Sequence, residues 1–278
     1  GVAWNAKIMP LRALGKNGGT SYDIIQAVRY AARLSNDSNT LPANKADVIN
    51  LSLGGYSSSA AEQSVYAAAR NAGVIIVAAA GNEATATPFY PAAYPEVISV
   101  SATNYQGKLA SYSNFGNSIS VAAPGGELGN DDNRDGKKDG VFSTVADDSS
   151  GSRQPSYDLY QGTSMASPHV AGVIALMKSA YPALSASDVD QLLQSCAITS
   201  KATSCNRDNQ LGYGQIDAYR AVSEALKLAN GGTLPPRPVA LQSSPAELVF
   251  GSDSSLSFTL SNAGDLQPAL LSVSEDAD

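Results

Sequence analysis

The chain has 278 residues, of which 43% are hydrophobic and 15% charged, enough apolar material to bury one large core or two smaller ones. Its formal net charge of −7 argues against a polyanionic partner such as nucleic acid. No uninterrupted apolar run reaches the roughly eighteen residues that a helical membrane span requires.

Taken in order, residues 6–11 (Ala-Lys-Ile-Met-Pro-Leu) read as a strand, although Pro10 brings no N–H to a ladder. After the glycine-rich turn at 15–19, Thr20 or Ser21 caps a helix with Asp23 close behind, and Ile24, Ile25, Val28, Ala31 and Ala32 form its apolar stripe. Residues 47–55 are an apolar strand ending in small residues, the pattern of a strand buried on both faces of a parallel sheet. Ligands of open parallel sheets lie beyond the carboxyl ends of the strands, which puts Ser52, Leu53, Gly54 and Gly55 beside a substrate. An ordinary strand-to-helix turn has the same composition. A helix follows from about Ser59, with Ala61, Val65, Ala68 and Ala69 inward and Gly73 as its stop.

The next strand, residues 74–80, runs into Gly81-Asn82-Glu83. A neutral amide at a strand's carboxyl end is a suitable oxyanion donor, since it has no proton to transfer and no charge to desolvate. Gly-Asn is equally a turn sequence. A loop rich in proline and aromatics (86–95) leads to strands at 97–100 and 119–125. Between 131 and 140, Asp131, Asn133, Asp135 and Asp139, with the Lys137 carbonyl, follow the alternation of the first half of an EF-hand calcium loop. The glutamate expected at the twelfth position is Phe142, and a solvated insertion fits the same residues.

Residues 162–172 (Gly-Thr-Ser-Met-Ala-Ser-Pro-His-Val-Ala-Gly) begin a buried helix whose first turn carries Ser164. Unpaired N–H groups and the positive end of the helix dipole favour an anion there. The single histidine of the chain, His169, is unsuited as a base for that serine. Five helical residues separate the two by roughly 140° and about 7.5 Å of rise. A locally satisfied, packed histidine is the better reading. Ser185 and Asp188 then cap a helix with Val189, Leu192 and Leu193 inward, and a last helix runs to about Asn230 before Gly231-Gly232. The Pro-rich residues 233–245 read as a linker. Beyond it, 248–250 and 256–260 alternate like half-buried strands, either a truncated β-domain or a disordered tail.

The 162–172 run resembles the nucleophile segment of the subtilisin-like serine proteases, the subtilases. Ser-Leu-Gly-Gly at 52–55, Ala-Ala-Gly-Asn at 79–82 and Leu-Gly-Tyr-Gly-Gln-Ile-Asp-Ala at 211–218 are similar to further family segments in the family's order. The resemblance implies a doubly wound parallel α/β sheet over residues 1–232, the linker, and the start of an immunoglobulin-like accessory domain at 246–278. It implies a secreted serine endopeptidase acting on protein or peptide, with Ser164 as nucleophile and Asn82 in the oxyanion hole. Ser52, Leu53, Gly54, Gly55, Ala79, Ala80 and Gly81 then line the substrate. Export favours a disulfide between Cys196 and Cys205 over two unrelated thiols. The family's catalytic Asp and His motifs lie upstream of the segment with which this chain opens. The chain is therefore expected to be a nearly inactive fragment, and a non-catalytic peptide-binding module is the alternative.

Overall fold

The residues with the purest aliphatic sequence form the middle of the structure. In the computed structural model, which describes residues 1–147, 149, 151–201 and 203–236 with the strands Leu241–Ser244 and Thr259–Asn262, every residue of the strand Ile75–Ala79 is buried. The elements in chain order are α1 (Ser21–Ala31), β1 (Val48–Leu51), α2 (Ala60–Asn71), β2 (Ile75–Ala79), β3 (Ile98–Thr103), β4 (Val121–Pro124), β5 (Val141–Asp147), β6 (Gln154–Tyr160), α3 (Thr163–Ala180), α4 (Ala186–Gln194), α5 (Ala218–Ala229), β7 (Leu241–Ser244) and β8 (Thr259–Asn262).

Strands β1 to β4 form one parallel sheet in the order β1-β2-β3-β4. Alternate residues of β2 serve opposite faces, as strand geometry dictates. Ile75 and Val77 join one core with Val170, Ile174 and Met177 of α3, while Ile76 and Ala78 join another with Val28 of α1 and Val65 of α2. Helix α3 contacts all four strands, and α5 packs behind it. A helix so enclosed has no need of a polar face, which accounts for its apolar sequence.

Local signals mark the helix ends. Thr20 with Asp23 and Ser185 with Asp188 form capping boxes on α1 and α4, each adding on the order of 1 kcal/mol. Gly73, at φ +86°, ends α2 in a conformation that suits only glycine well. A disulfide joins Cys196 and Cys205.

Three expectations need correction. Residues 6–11 are not a strand: Ile8 is 83% exposed, Pro10 has no N–H to give, and among the described residues no strand pairs with the segment. Burial on both faces holds for β2 but not for β1, the edge strand of this sheet, whose Asn50 is exposed. On α2 the inward stripe is Glu62, Val65, Tyr66 and Ala69, with Ala61 and Ala68 exposed. Glu62 is tolerated inside because the hydroxyls of Tyr66 and Tyr94 donate to its carboxylate at 3.1 and 3.3 Å.

The antiparallel hairpin β5–β6, unread in the sequence, leads directly into α3. At the other end, Leu234 packs on the main core and Gln191 Nε2 donates to the Pro235 carbonyl at 3.0 Å, so the linker begins attached to the α/β unit. Strands β7 and β8 pair antiparallel, Leu241 opposite Asn262. Residues 248–250, expected as a strand, lie outside the described residues.

Candidate active site

Parallel strands in sequential order bring their carboxyl ends to one rim, and the first turn of α3 stands at that rim. Gly162, at φ +147°, precedes the helix and has no side chain to cap it. Its N–H donates to the Gly125 carbonyl at 3.0 Å and to Tyr112 Oη at 2.9 Å. Tyr112 in turn donates to the Gly126 carbonyl at 2.6 Å, and burial, its largest influence, pushes the phenol up to about 12. The entry to α3 is thus held on Gly125, just after β4, and on Tyr112, in the loop before it.

Capping comes instead from Asn82, beyond the end of β2. Its Oδ1 accepts from Thr163 N and from Thr163 Oγ1, both at 2.9 Å. The same hydroxyl, fully buried, accepts the Gly81 N–H at 3.2 Å. With Oδ1 committed to Thr163, Asn82 Nδ2 is left without a hydrogen bond among the described residues, as is the N–H of Ser164. A carbon added at Gly162 would stand 3.6 Å from Ser164 N and 3.7 Å from Asn82 Nδ2, so glycine keeps the space beside both donors clear.

The loop carrying Asn82 is itself pinned. Asn114, 2% exposed, donates to the Ala80 carbonyl at 2.9 Å and accepts from Glu83 N at 2.9 Å and Thr85 N at 3.3 Å. Gly81, at φ +104°, lies so close that an added carbon would meet Asn114 Nδ2 at 2.2 Å. Ala79 and Ala80 are buried beneath.

Across the rim, Ser52 Oγ donates to the Ser164 carbonyl at 2.9 Å. The residues expected to meet a substrate divide here. Gly55 exchanges two backbone hydrogen bonds with Tyr90, at 2.8 and 2.7 Å, and so braces the loop. Leu53 and Gly54 keep their backbone groups without such partners among the described residues. An added carbon at Gly54 would strike Phe89 Cε1 at 2.4 Å.

His169 is half-buried, and its Nδ1 bonds the Met165 carbonyl at 2.8 Å, one turn back on its own helix. The 131–139 loop is wound by its own side chains. Asp131 accepts from the Asp135 and Gly136 N–H groups at 3.1 Å each, Asp135 from Lys137 N at 2.8 Å, and Asp139 from Asp132 N at 2.5 Å. Hard oxygen donors suit calcium in kind. Yet among the described residues no three His, Cys, Asp or Glu side chains are grouped to hold a metal. Sequence reasoning missed Thr163, Tyr112 and Asn50. Thr163 and Asn50 stand inside segments already singled out, but nothing in their spacing told of their partners.

The profile described as "Subtilase family" matches residues 1–214. The chain is 39% identical to the "Extracellular protease" of Xanthomonas campestris pv. campestris, over 81% of this chain and 37% of that protein. It is 37% identical to the "Thermophilic serine proteinase" of Bacillus sp. (strain AK1), over 80% of this chain and 47% of that protein. The chain thus spans less than half the length of these relatives. A solved structure of a protease from Pseudoalteromonas arctica superposes with a TM-score of 0.70 at 38% identity, covering 81% of this chain and 65% of that one.

Proposed function

Because the chain belongs to the subtilase family, we propose that the protein it comes from is a serine endopeptidase that cleaves peptide bonds through an acyl-enzyme on Ser164. The observation that carries this reading is the pair of donors with no hydrogen bond among the described residues, Ser164 N–H and Asn82 Nδ2, both close to the side-chain-free Gly162. When the Ser164 hydroxyl adds to a peptide carbonyl, the oxygen becomes an anion, and preorganised neutral donors stabilise that charge without having to reorient. The backbone groups of Leu53 and Gly54, without backbone partners among the described residues, would pair with an extended substrate strand, with Ala79, Ala80 and Gly81 also lining it.

The proton of Ser164 needs a base. The one histidine is committed to Met165, so the base is assigned to the part of the protein that the relatives have and this chain does not span. The test is hydrolysis of a chromogenic peptide by the full-length protein and by this chain alone, with Ser164→Ala as control. Ser164-dependent turnover by the full-length protein, with only background from this chain, is expected. Loss of one oxyanion donor in Asn82→Ala is expected to lower kcat by about 10²–10³-fold. Full-length protein that binds peptide without cleaving it would make this a binding module.

The same reading includes export, as the names of the extracellular relatives suggest, and an accessory β-domain after the linker. It also includes calcium at Asp131, Asn133, Asp135 and Asp139. Calcium at about a hundredfold its Kd would add roughly 2.7 kcal/mol to stability. A thermal midpoint unmoved by calcium or EDTA, or moved equally in Asp135→Ala, would remove the ion from this loop.

A further inference from the structure

Pro168 lies inside the first turns of α3 and has no N–H. In an α-helix the partner of the Ser164 carbonyl is the N–H of residue 168, so the carbonyl of the nucleophile itself is left without its helical donor. The proline ring also crowds the carbonyl four residues back, turning it outward. What it meets is the hydroxyl of Ser52, at 2.9 Å. That hydroxyl accepts from Asn50 Nδ2 at 3.0 Å, and Asn50 Oδ1 accepts from the Ser167 hydroxyl at 2.6 Å.

Each group in this ring has one direction open to it. The Asn50 amide can only donate through nitrogen and accept through oxygen, so the one Ser52 proton is turned toward Ser164. The ring begins at Ser164, crosses to the end of β1 and returns to the same helical turn at Ser167. We propose that Asn50 and Ser52 are positioning residues for the nucleophile: they replace the helical hydrogen bond that Pro168 removes and so fix the backbone from which the Ser164 side chain projects. This rests on the reading of Ser164 as nucleophile. Neither residue has to touch the reacting atoms for this, and their effect belongs to the turn's geometry, to which transition-state alignment is sensitive.

The experiment measures kcat and KM on a chromogenic peptide with the full-length protein and four variants, together with each variant's thermal midpoint. Ser52→Ala is expected to lower kcat about tenfold with KM within twofold. Asn50→Asp retains the shape and the acceptor for Ser167 but draws the Ser52 proton to its carboxylate, and is expected to fall equally far. Ser52→Thr, which keeps the hydroxyl, is expected to stay within about threefold of the unaltered kcat. The decisive variant is Ser52→Ala combined with Pro168→Ala, which returns an N–H to position 168 and is expected to recover most of the lost kcat.

A purely packing role for Ser52 predicts no such recovery. Unaltered protein that is active while Ser52→Ala and Asn50→Asp remain within twofold of it would overturn the proposal, as would a double variant no faster than Ser52→Ala. Should Ser52→Ala fail to fold, a fully active Asn50→Asp still overturns it and a slowed, folded one supports it. Absence of any Ser164-dependent turnover from the unaltered protein would instead overturn the peptidase reading, and this inference with it.

Discussion

Replacing Thr163 by valine removes one oxygen at almost constant shape, and that oxygen serves two partners. The Thr163 hydroxyl donates to Asn82 Oδ1 at 2.9 Å and accepts the Gly81 N–H at 3.2 Å, in a side chain with no exposure. Stranding a buried N–H costs about 1–3 kcal/mol, and losing a neutral hydrogen bond about 1 kcal/mol more, so unfolding free energy is expected to drop by roughly 2–4 kcal/mol. Catalysis is affected differently. Asn82 retains its bond from Thr163 N, so its amide loosens but does not swing away. Complete loss of an oxyanion donor costs about 2.7–4 kcal/mol. Losing one of its two anchors is expected to cost about half, near 1.5 kcal/mol, which is roughly tenfold in kcat. The assay is peptide hydrolysis by the full-length protein, with denaturant unfolding of the same samples and Thr163→Ser as the control that keeps the hydroxyl. If Thr163→Val holds kcat within twofold while Asn82→Ala loses a hundredfold, the Thr163 hydroxyl does not orient the amide. If both remain active, Asn82 is not the donor.

Tyr112 gives an alkaline prediction. Its phenol is raised from 10.0 to about 12 in the folded protein, chiefly by burial. Below pH 10 it is neutral in both states and its contribution is complete; above that the unfolded chain ionises first, so stability is lost as pH rises toward the folded value. The thermal midpoint is therefore expected to fall more steeply between about pH 10 and 12 in the unaltered protein than in Tyr112→Phe; parallel slopes would contradict this. The Cys196–Cys205 disulfide closes a short loop, with a sequence separation of 9. Loop entropy gives it about 2–3 kcal/mol. The Cys196→Ala/Cys205→Ala double variant is expected to melt about 5–10 °C lower. A reductant that lowers the unaltered protein's midpoint by the same amount, and leaves the double variant's unchanged, would attribute the loss to the bond.

Much of this architecture can be read from residue types, for identifiable reasons. Residues 74–80 have no polar side chain, and such a run has nowhere to go but the middle of a sheet. Asn82 and Ser52 fall on one rim by a topological argument alone, that strand ends of a parallel sheet share an edge; Ser164, on a helix that follows the β5–β6 hairpin, comes to that rim through the packing of α3 on the sheet. Where the sequence misleads, the cause is tertiary. Alanine carries little hydrophobic signal, so periodicity alone assigns the α2 stripe through Ala61 and Ala68, while Glu62 goes inside because two tyrosines outside any local pattern satisfy it. Residues 6–11 have strand-like composition, but a strand is a property of a pair. Hydrogen bonds between residues 81 or 112 apart, such as Thr163 to Asn82 and Ser52 to Ser164, leave no periodicity to detect.

The way the site is held follows from the fold around it. Helix α3 spans the whole sheet, and its interior face includes Val170, Val173, Ile174 and Met177, all nearly inaccessible. Moving this helix would open the main core, so Ser164 sits on an element that resists local unfolding. Its first turn, however, has backbone groups that the helix cannot satisfy. The neighbouring strand ends supply what is missing: Ser52 meets the carbonyl of Ser164, Asn82 the N–H of Thr163, and Gly125 the N–H of Gly162. The N–H of Ser164 has no such partner among the described residues. A turn anchored on every side but one has a single direction in which to receive charge, and that is the requirement for stabilising an oxyanion without reorganisation. On the proposed reading, the chemistry of the turn comes from which backbone groups are left unsatisfied as much as from the serine, and the same serine on a fully capped helix would lack an oxyanion donor.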